Sequence, residues 1–75
     1  MTKEQILEIL PSLEFSNLQD HCQFGFIIES MVELPESECL ELFNFMREKT
    51  PNIKRFWSVL PNSYWGKIYN RINAL

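Results

Sequence analysis

The chain has 75 residues, 45% of them hydrophobic, 13% aromatic and 23% charged, with a formal net charge of −3. That is one domain's length with enough apolar material for a core, which excludes an intrinsically disordered chain. The only cysteines, Cys22 and Cys39, exclude a disulfide-built scaffold and read as reduced, buried thiols in a cytosolic setting.

Four prolines divide the sequence, at Pro11, Pro35, Pro51 and Pro61. Proline disfavours helix at the residue before it and suits the first turn of a new one, so each marks a helix boundary. The first helix is expected from Lys3 to Leu10, with Thr2 as N-cap and Gln5 as its reciprocal capping partner. Ile6, Ile9 and Leu10 form its apolar face. Ser16 and Gln19 repeat the capping signature and open a second helix from Asn17 to Glu33. Its apolar residues (Leu18, Cys22, Phe24, Phe26, Ile27, Ile28, Met31, Val32) lie nearly all round the axis, which predicts a central, largely buried element. Gly25 is placed to let another helix cross closely. Residues 23–28 also satisfy the pattern of a short strand, which periodicity alone does not separate from helix.

The third helix is expected from Pro35 to Lys49, with Glu36, Glu38 and Glu41 in its first turns and Arg47 and Lys49 in its last, matching the helix dipole. Leu40, Phe43 and Met46 set its apolar face, widened by Leu42 and Phe45. Thr50 and Pro51 then start a short fourth helix with Ile53, Phe56, Trp57 and Leu60 as its stripe. A fifth begins at Asn62 or Ser63 and carries Tyr64, Trp65, Ile68, Tyr69 and Ile72. Short loops between these helices predict an all-α fold, a compact single-domain bundle of four to five short helices over residues 1–75. At the usual per-residue stability, such a domain is held by only about 4–11 kcal/mol, a margin that a partner or a homodimer would widen.

Most chemistries lack their residues. His21, Cys22 and Cys39 are the only soft metal ligands, and no Cys-x-x-Cys or His-x-x-x-His spacing joins them, so no metal is expected. No signature couples His21, the sole histidine, to a nucleophile, and Glu36, Glu38 and Glu41 oppose thiolate formation at Cys39. Gly25 and Gly66 are the only glycines and sit inside helices, so no phosphate-cradling loop and no cofactor is expected. The longest apolar run, Phe24 to Ile28, falls far short of the ~20 residues that cross a bilayer, and the charged start leads into no signal-peptide h-region. Neither enzyme activity nor membrane insertion is expected.

Charge and aromatic distribution carry the remaining signal. Residues 1–46 hold one base, Lys3, against nine acids, whereas residues 47–75 hold six bases against Glu48, together with both tryptophans and both tyrosines. Lys54, Arg55, Trp57, Tyr64, Trp65, Lys67 and Arg71 form the candidate interaction surface, because aromatics interleaved with bases suit protein hot spots and single-stranded nucleic acid alike. The same aromatics also fit core spacing, with the bases then ordinary solvated residues or ion-pair partners of the acidic half. Six bases on an acidic chain cannot supply the long positive stripe of duplex binding, so another protein is the expected partner and nucleic acid the alternative. Glu36, Glu38 and Glu41 offer a second, acidic contact face. The function expected is thus a small non-catalytic interaction domain, a regulatory or inhibitory subunit. A structural subunit of a larger assembly is the other alternative.

Overall fold

The computed structural model describes residues 1–73, which form five α-helices and no strand. α1 spans Lys3–Ile9, α2 Leu18–Glu33, α3 Glu36–Lys49, α4 Pro51–Arg55 and α5 Asn62–Ile72, with a 3-10 turn at Leu10–Ser12. The radius of gyration, 11.3 Å, agrees with the roughly 11 Å expected of a compact chain of this length. Residues 23–28 are helical throughout, so the strand pattern in that run is an accident of its apolar density.

Both proline punctuation and the first capping box behave as the sequence predicts. Thr2 Oγ1 accepts from the Gln5 amide at 3.2 Å, and Gln5 Oε1 accepts from the Thr2 amide at 2.9 Å, closing the first turn of α1. Pro11 enters the 3-10 turn, Pro51 opens α4, and Pro35 and Pro61 occupy the N-cap positions of α3 and α5.

The expected Ser16 cap is displaced by one residue. Asn17 is the N-cap of α2, and its Oδ1 accepts from the Asp20 amide at 2.9 Å. Asparagine serves there as well as serine. What selects this register is Asp20, whose Oδ2 accepts from the amides of both Glu14 and Phe15, at 3.1 and 3.0 Å. One carboxylate thereby ties the loop before α2 to the helix it starts. Phe15 sits in the left-handed region at φ 58°, a strained conformation for an aromatic residue. Its buried ring, edge-on to His21 and Phe24 and tilted against Phe56, holds it there.

Thr50 also acts differently from expectation. It occupies the N-cap position of α4, but its buried hydroxyl donates back to the Met46 carbonyl of α3 and makes no capping bond to α4. α4 therefore starts without a side-chain cap and stops after five residues, and Phe56 to Leu60 form turns where the sequence pattern continued a helix. Two features break it. Pro61 disfavours helix at Leu60, and the Trp57 carbonyl turns to accept from the Trp65 indole at 3.1 Å.

α5 lies across α2 and α3, and these are the broadest contacts between elements, while α1 and α4 pack on α3. The core joins Ile6 and Leu10, Leu13 and Phe15 of the loop, Phe24, Ile27, Ile28 and Met31 of α2, Cys39, Leu42, Phe43 and Met46 of α3, Ile53, Leu60, and Trp65 and Ile68 of α5. At Gly25 it is a side chain, rather than the backbone of another helix, that approaches closely. A Cβ there would meet the Tyr64 hydroxyl of α5 at 2.9 Å, so glycine lets that ring seat against α2.

Two expectations of burial fail together on α2. Cys22 is exposed, and so are Leu18 and Phe26, at 77% and 67%. The buried residues of α2 follow a three-to-four spacing, whereas Leu18, Cys22 and Phe26 recur every fourth residue on the opposite side. α2 is central without being buried all round. Cys39 is buried as expected, and burial pushes its thiol above the ordinary range against a smaller opposing influence from Arg71. It stays protonated at neutral pH.

Ile28 is fully buried at the centre of this core. Ile28→Ala is expected to destabilise the fold by about 2–5 kcal/mol in chemical denaturation, and a loss below about 1 kcal/mol would remove α2 from the centre of the core.

Candidate interaction surface

α5 disposes of about half the surface that the sequence pointed to. Trp65 is buried, with its ring stacked on Trp57 at 3.9 Å between centroids and 9° between planes. Tyr64 is half-buried, seated against Gly25 and edge-on to Phe24 at 5.8 Å. Lys67 pairs with Glu29 of α2. Arg71 pairs with Glu36 of α3 at 3.0 Å and also donates to the Leu34 carbonyl, from Nη2 at 2.9 Å and Nε at 3.3 Å. Arg71 thus closes the end of α2 onto the start of α3, which is structural work.

The acidic face is consumed in the same way. Glu36 holds Arg71, and Glu41 holds Lys3 at 2.8 Å, where the hydrogen bond and the carboxylate charge raise the pKa of the Lys3 ammonium. Glu38 is half-buried and has no basic partner among the described residues. The three expected acids do not form a free patch.

What remains lies around α4. Three ion pairs take Lys3, Lys67 and Arg71, and the four bases without an acidic partner among the described residues are Arg47, Lys49, Lys54 and Arg55, all exposed and within nine positions of one another. The turn at Thr50 produces this crowding, because it folds α4 directly against the end of α3. Arg47, Glu48, Lys54 and Trp57 line an open cleft of about 370 Å³.

The aromatic wall of this region is built on Phe43. Trp57 and Tyr69 pack against its ring at 5.7 and 5.6 Å, and the Arg47 guanidinium lies 5.6 Å from its centroid. Arg55 lies 5.7 Å from the Phe56 ring. Resting on rings restrains both guanidinium groups while leaving their outer donors to solvent. Tyr69, 45% exposed, and Val59, 71% exposed, leave apolar surface elsewhere on the C-terminal half. The geometry can therefore pair with carboxylates or phosphates beside a flat aromatic surface.

Sequence reasoning named Lys54, Arg55 and Trp57 and placed Tyr69 at core spacing on the fifth helix, but missed Arg47 and Lys49 as companions. Arg47 and Lys49 were absorbed into a dipole-matching role at the end of α3. Only the Thr50 turn places them beside α4. Among the described residues no group of three His, Cys, Asp or Glu side chains is arranged to hold a metal ion, and no helix is long and apolar enough to cross a membrane. No protein-family model, no curated protein and no solved structure matches this chain.

Arg71 links two helices through one partly buried ion pair and two bonds to a carbonyl. Arg71→Ala is expected to cost about 1–2 kcal/mol in denaturant unfolding. A change below about 0.3 kcal/mol would return Arg71 to the pool of groups available for binding.

Proposed function

We propose that this chain is a small non-catalytic protein-interaction domain, a regulatory or inhibitory subunit, which docks an acidic segment of another protein at the cleft between the end of α3 and α4. The observation carrying this reading is the confinement to residues 47–55 of the four bases that have no acidic partner among the described residues, two of which line a cleft with Glu48 and Trp57. Arg47 and Lys54 meet the partner's carboxylates. Trp57 takes an apolar or aromatic side chain from the same segment, since Trp and Arg are the residue types that concentrate binding energy at protein contacts. Glu48, which also lines the cleft, disfavours ligands whose negative charge is spread along their whole length. A cytosolic setting belongs to the same proposal and is supported by two unpaired cysteines, one of them exposed.

Nucleic acid is the second reading, favoured by the same four cations. Several observations count against it. Trp57 already has one face covered by Trp65, and Trp65 and Tyr64 offer no free stacking platform. The chain is also acidic overall, and phosphates approaching along a strand meet that charge.

Reversing two cleft charges tests both readings, with Arg47→Glu and Lys54→Glu made together. Neither residue is in the core or in an ion pair among the described residues, so the fold is expected to survive, with about 1 kcal/mol lost where Arg47 leaves the Phe43 ring and the last turn of α3. A Glu-rich peptide carrying one aromatic residue is expected to bind the wild type with an affinity that falls with salt, and to bind the double variant at least about ten-fold more weakly, chiefly through a slower on-rate. Sub-micromolar, salt-sensitive oligonucleotide binding by the wild type, without peptide binding, would replace this reading with the nucleic-acid one.

A further inference from the structure

The Trp57 carbonyl finds no partner in its own segment. In a continuing helix it would accept from the amide four residues on, but that residue is Pro61, which has no N–H. The amide of Leu60, one residue nearer, donates instead to the Phe56 carbonyl, as does the amide of Val59, both at 3.0 Å. Trp57 thus stands in the cleft with an orphaned acceptor, its own amide tied only to the last turn of α4 at 3.3 Å from the Lys54 carbonyl.

Trp65 supplies what the segment lacks. Its indole N–H donates to the Trp57 carbonyl at 3.1 Å, and its ring lies parallel to the Trp57 ring, with 3.9 Å between centroids and 9° between planes. One contact holds the backbone of Trp57 and the other holds its side chain. Phe43 of α3, the other ring beside Trp57, meets it tilted by 53° at 5.7 Å, a contact that supports the indole without covering its face. Trp65 itself is buried, 6% exposed, and lies behind the cleft rather than in its lining. Its influence there passes through Trp57.

That gives α5 a second part in the molecule. Two of its cations are taken up by ion pairs to α2 and α3, yet through Trp65 the helix backs the one aromatic ring that lines the cleft. Arg47 and Lys54 attract an anion over several ångströms and tolerate movement. A ring face gains from contact only where it is already held in place, because ordering it on binding consumes part of the gain.

We infer that Trp65 is the positioning residue of the α3–α4 cleft, presenting Trp57 to a ligand in one prearranged orientation. The identity of the ligand rests on the acidic-partner reading, whereas the positioning rests on the geometry of the Trp57–Trp65 pair alone.

Trp65→Phe tests this, since it keeps an aromatic ring in the core while removing the N–H and part of the stacked face. The wild type holds two tryptophans and the variant only Trp57, so NMR relaxation of the indole N–H reads that residue directly. The Trp57 indole is expected to be as rigid as ordered backbone in the wild type, with an order parameter near about 0.85, and to fall below about 0.6 in Trp65→Phe. The Glu-rich peptide carrying one aromatic residue is expected to leave the variant at least about five-fold faster while arriving at the same rate, because no charge has changed. Ile68→Val is the control for stability. It trims a buried residue of the same helix that makes neither the hydrogen bond nor the ring stack, so it is expected to lower the unfolding midpoint and leave the peptide off-rate unchanged. A merely structural role for Trp65 would make the two variants behave alike. A Trp57 indole that is already mobile in the wild type overturns the inference without any variant. So does an indole that stays rigid in Trp65→Phe, or a peptide off-rate equal to that of the wild type. If the wild type does not bind the peptide, the acidic-partner reading alone fails, and the relaxation of Trp57 still decides the positioning.

Discussion

The docking of α5 across α2 and α3 is the constraint on which the remaining structure depends. Trp65 and Ile68 of α5 are buried in a core otherwise built by α1 to α4, the loop before α2 and Leu60. Without them Phe24 loses its ring neighbours on α5, Tyr64 and Trp65, and Trp57 loses the indole stacked on it. Hydrophobic burial supplies most of the attraction, but it is non-directional. Direction comes from polar contacts at the edges of the helix. Lys67 reaches Glu29, Arg71 reaches Glu36 and the Leu34 carbonyl, and the Trp65 indole takes the Trp57 carbonyl. Gly25 provides the one gap through which the Tyr64 ring can approach.

This arrangement decides which charges are available for function. The acidic first half and the basic second half neutralise each other only in part, because α5 carries two of its bases, Lys67 and Arg71, onto α2 and α3. Surface pairs of this kind add little stability individually. Their larger consequence is selective. They remove the cations of α5 from the solvent-facing field and leave those of the α3–α4 corner, so the surviving positive surface is short, compact and next to an aromatic wall. The proposed acidic segment, short rather than extended, follows from that shape.

Much of the architecture was legible in the sequence. The Thr2 capping box, the four proline boundaries and the burial of Ile28 and Cys39 each follow from a local rule that tertiary contacts leave in force. Failures occurred where a group had two possible partners. The Thr50 hydroxyl had a choice between the amides of α4 and the Met46 carbonyl, and only the folded geometry favours the latter. Asp20 likewise reaches back to two loop amides and shifts the cap of α2 to Asn17, which no pattern of spacing encodes.

The site was half legible for the same reason. Composition identified bases and aromatics as the informative residues, yet a lysine in an ion pair and a lysine in solvent read identically in a sequence. Lys67 and Lys54 differ only because Glu29 stands opposite one of them. The exposed apolar side of α2 escaped because an apolar residue is read as core by default, and a helix apolar on two opposite sides is easily taken for one buried all round. A sharper signal was present in the spacing, since Leu18, Cys22 and Phe26 fall on the side away from Phe24, Ile27, Ile28 and Met31.

The central claim is that internal pairing by α5 leaves the α3–α4 corner as the surface that receives an acidic partner. Amide chemical-shift mapping of the isotopically labelled chain, titrated with a short Glu-rich peptide bearing one aromatic residue, tests it residue by residue. The account predicts that the perturbed amides cluster from Arg47 to Trp57, with Tyr69 responding through its contact with Phe43, while Glu29, Lys67 and Arg71 stay unmoved. Perturbations centred instead on Lys67 and Arg71, with their ion pairs to Glu29 and Glu36 opening on binding, would contradict it.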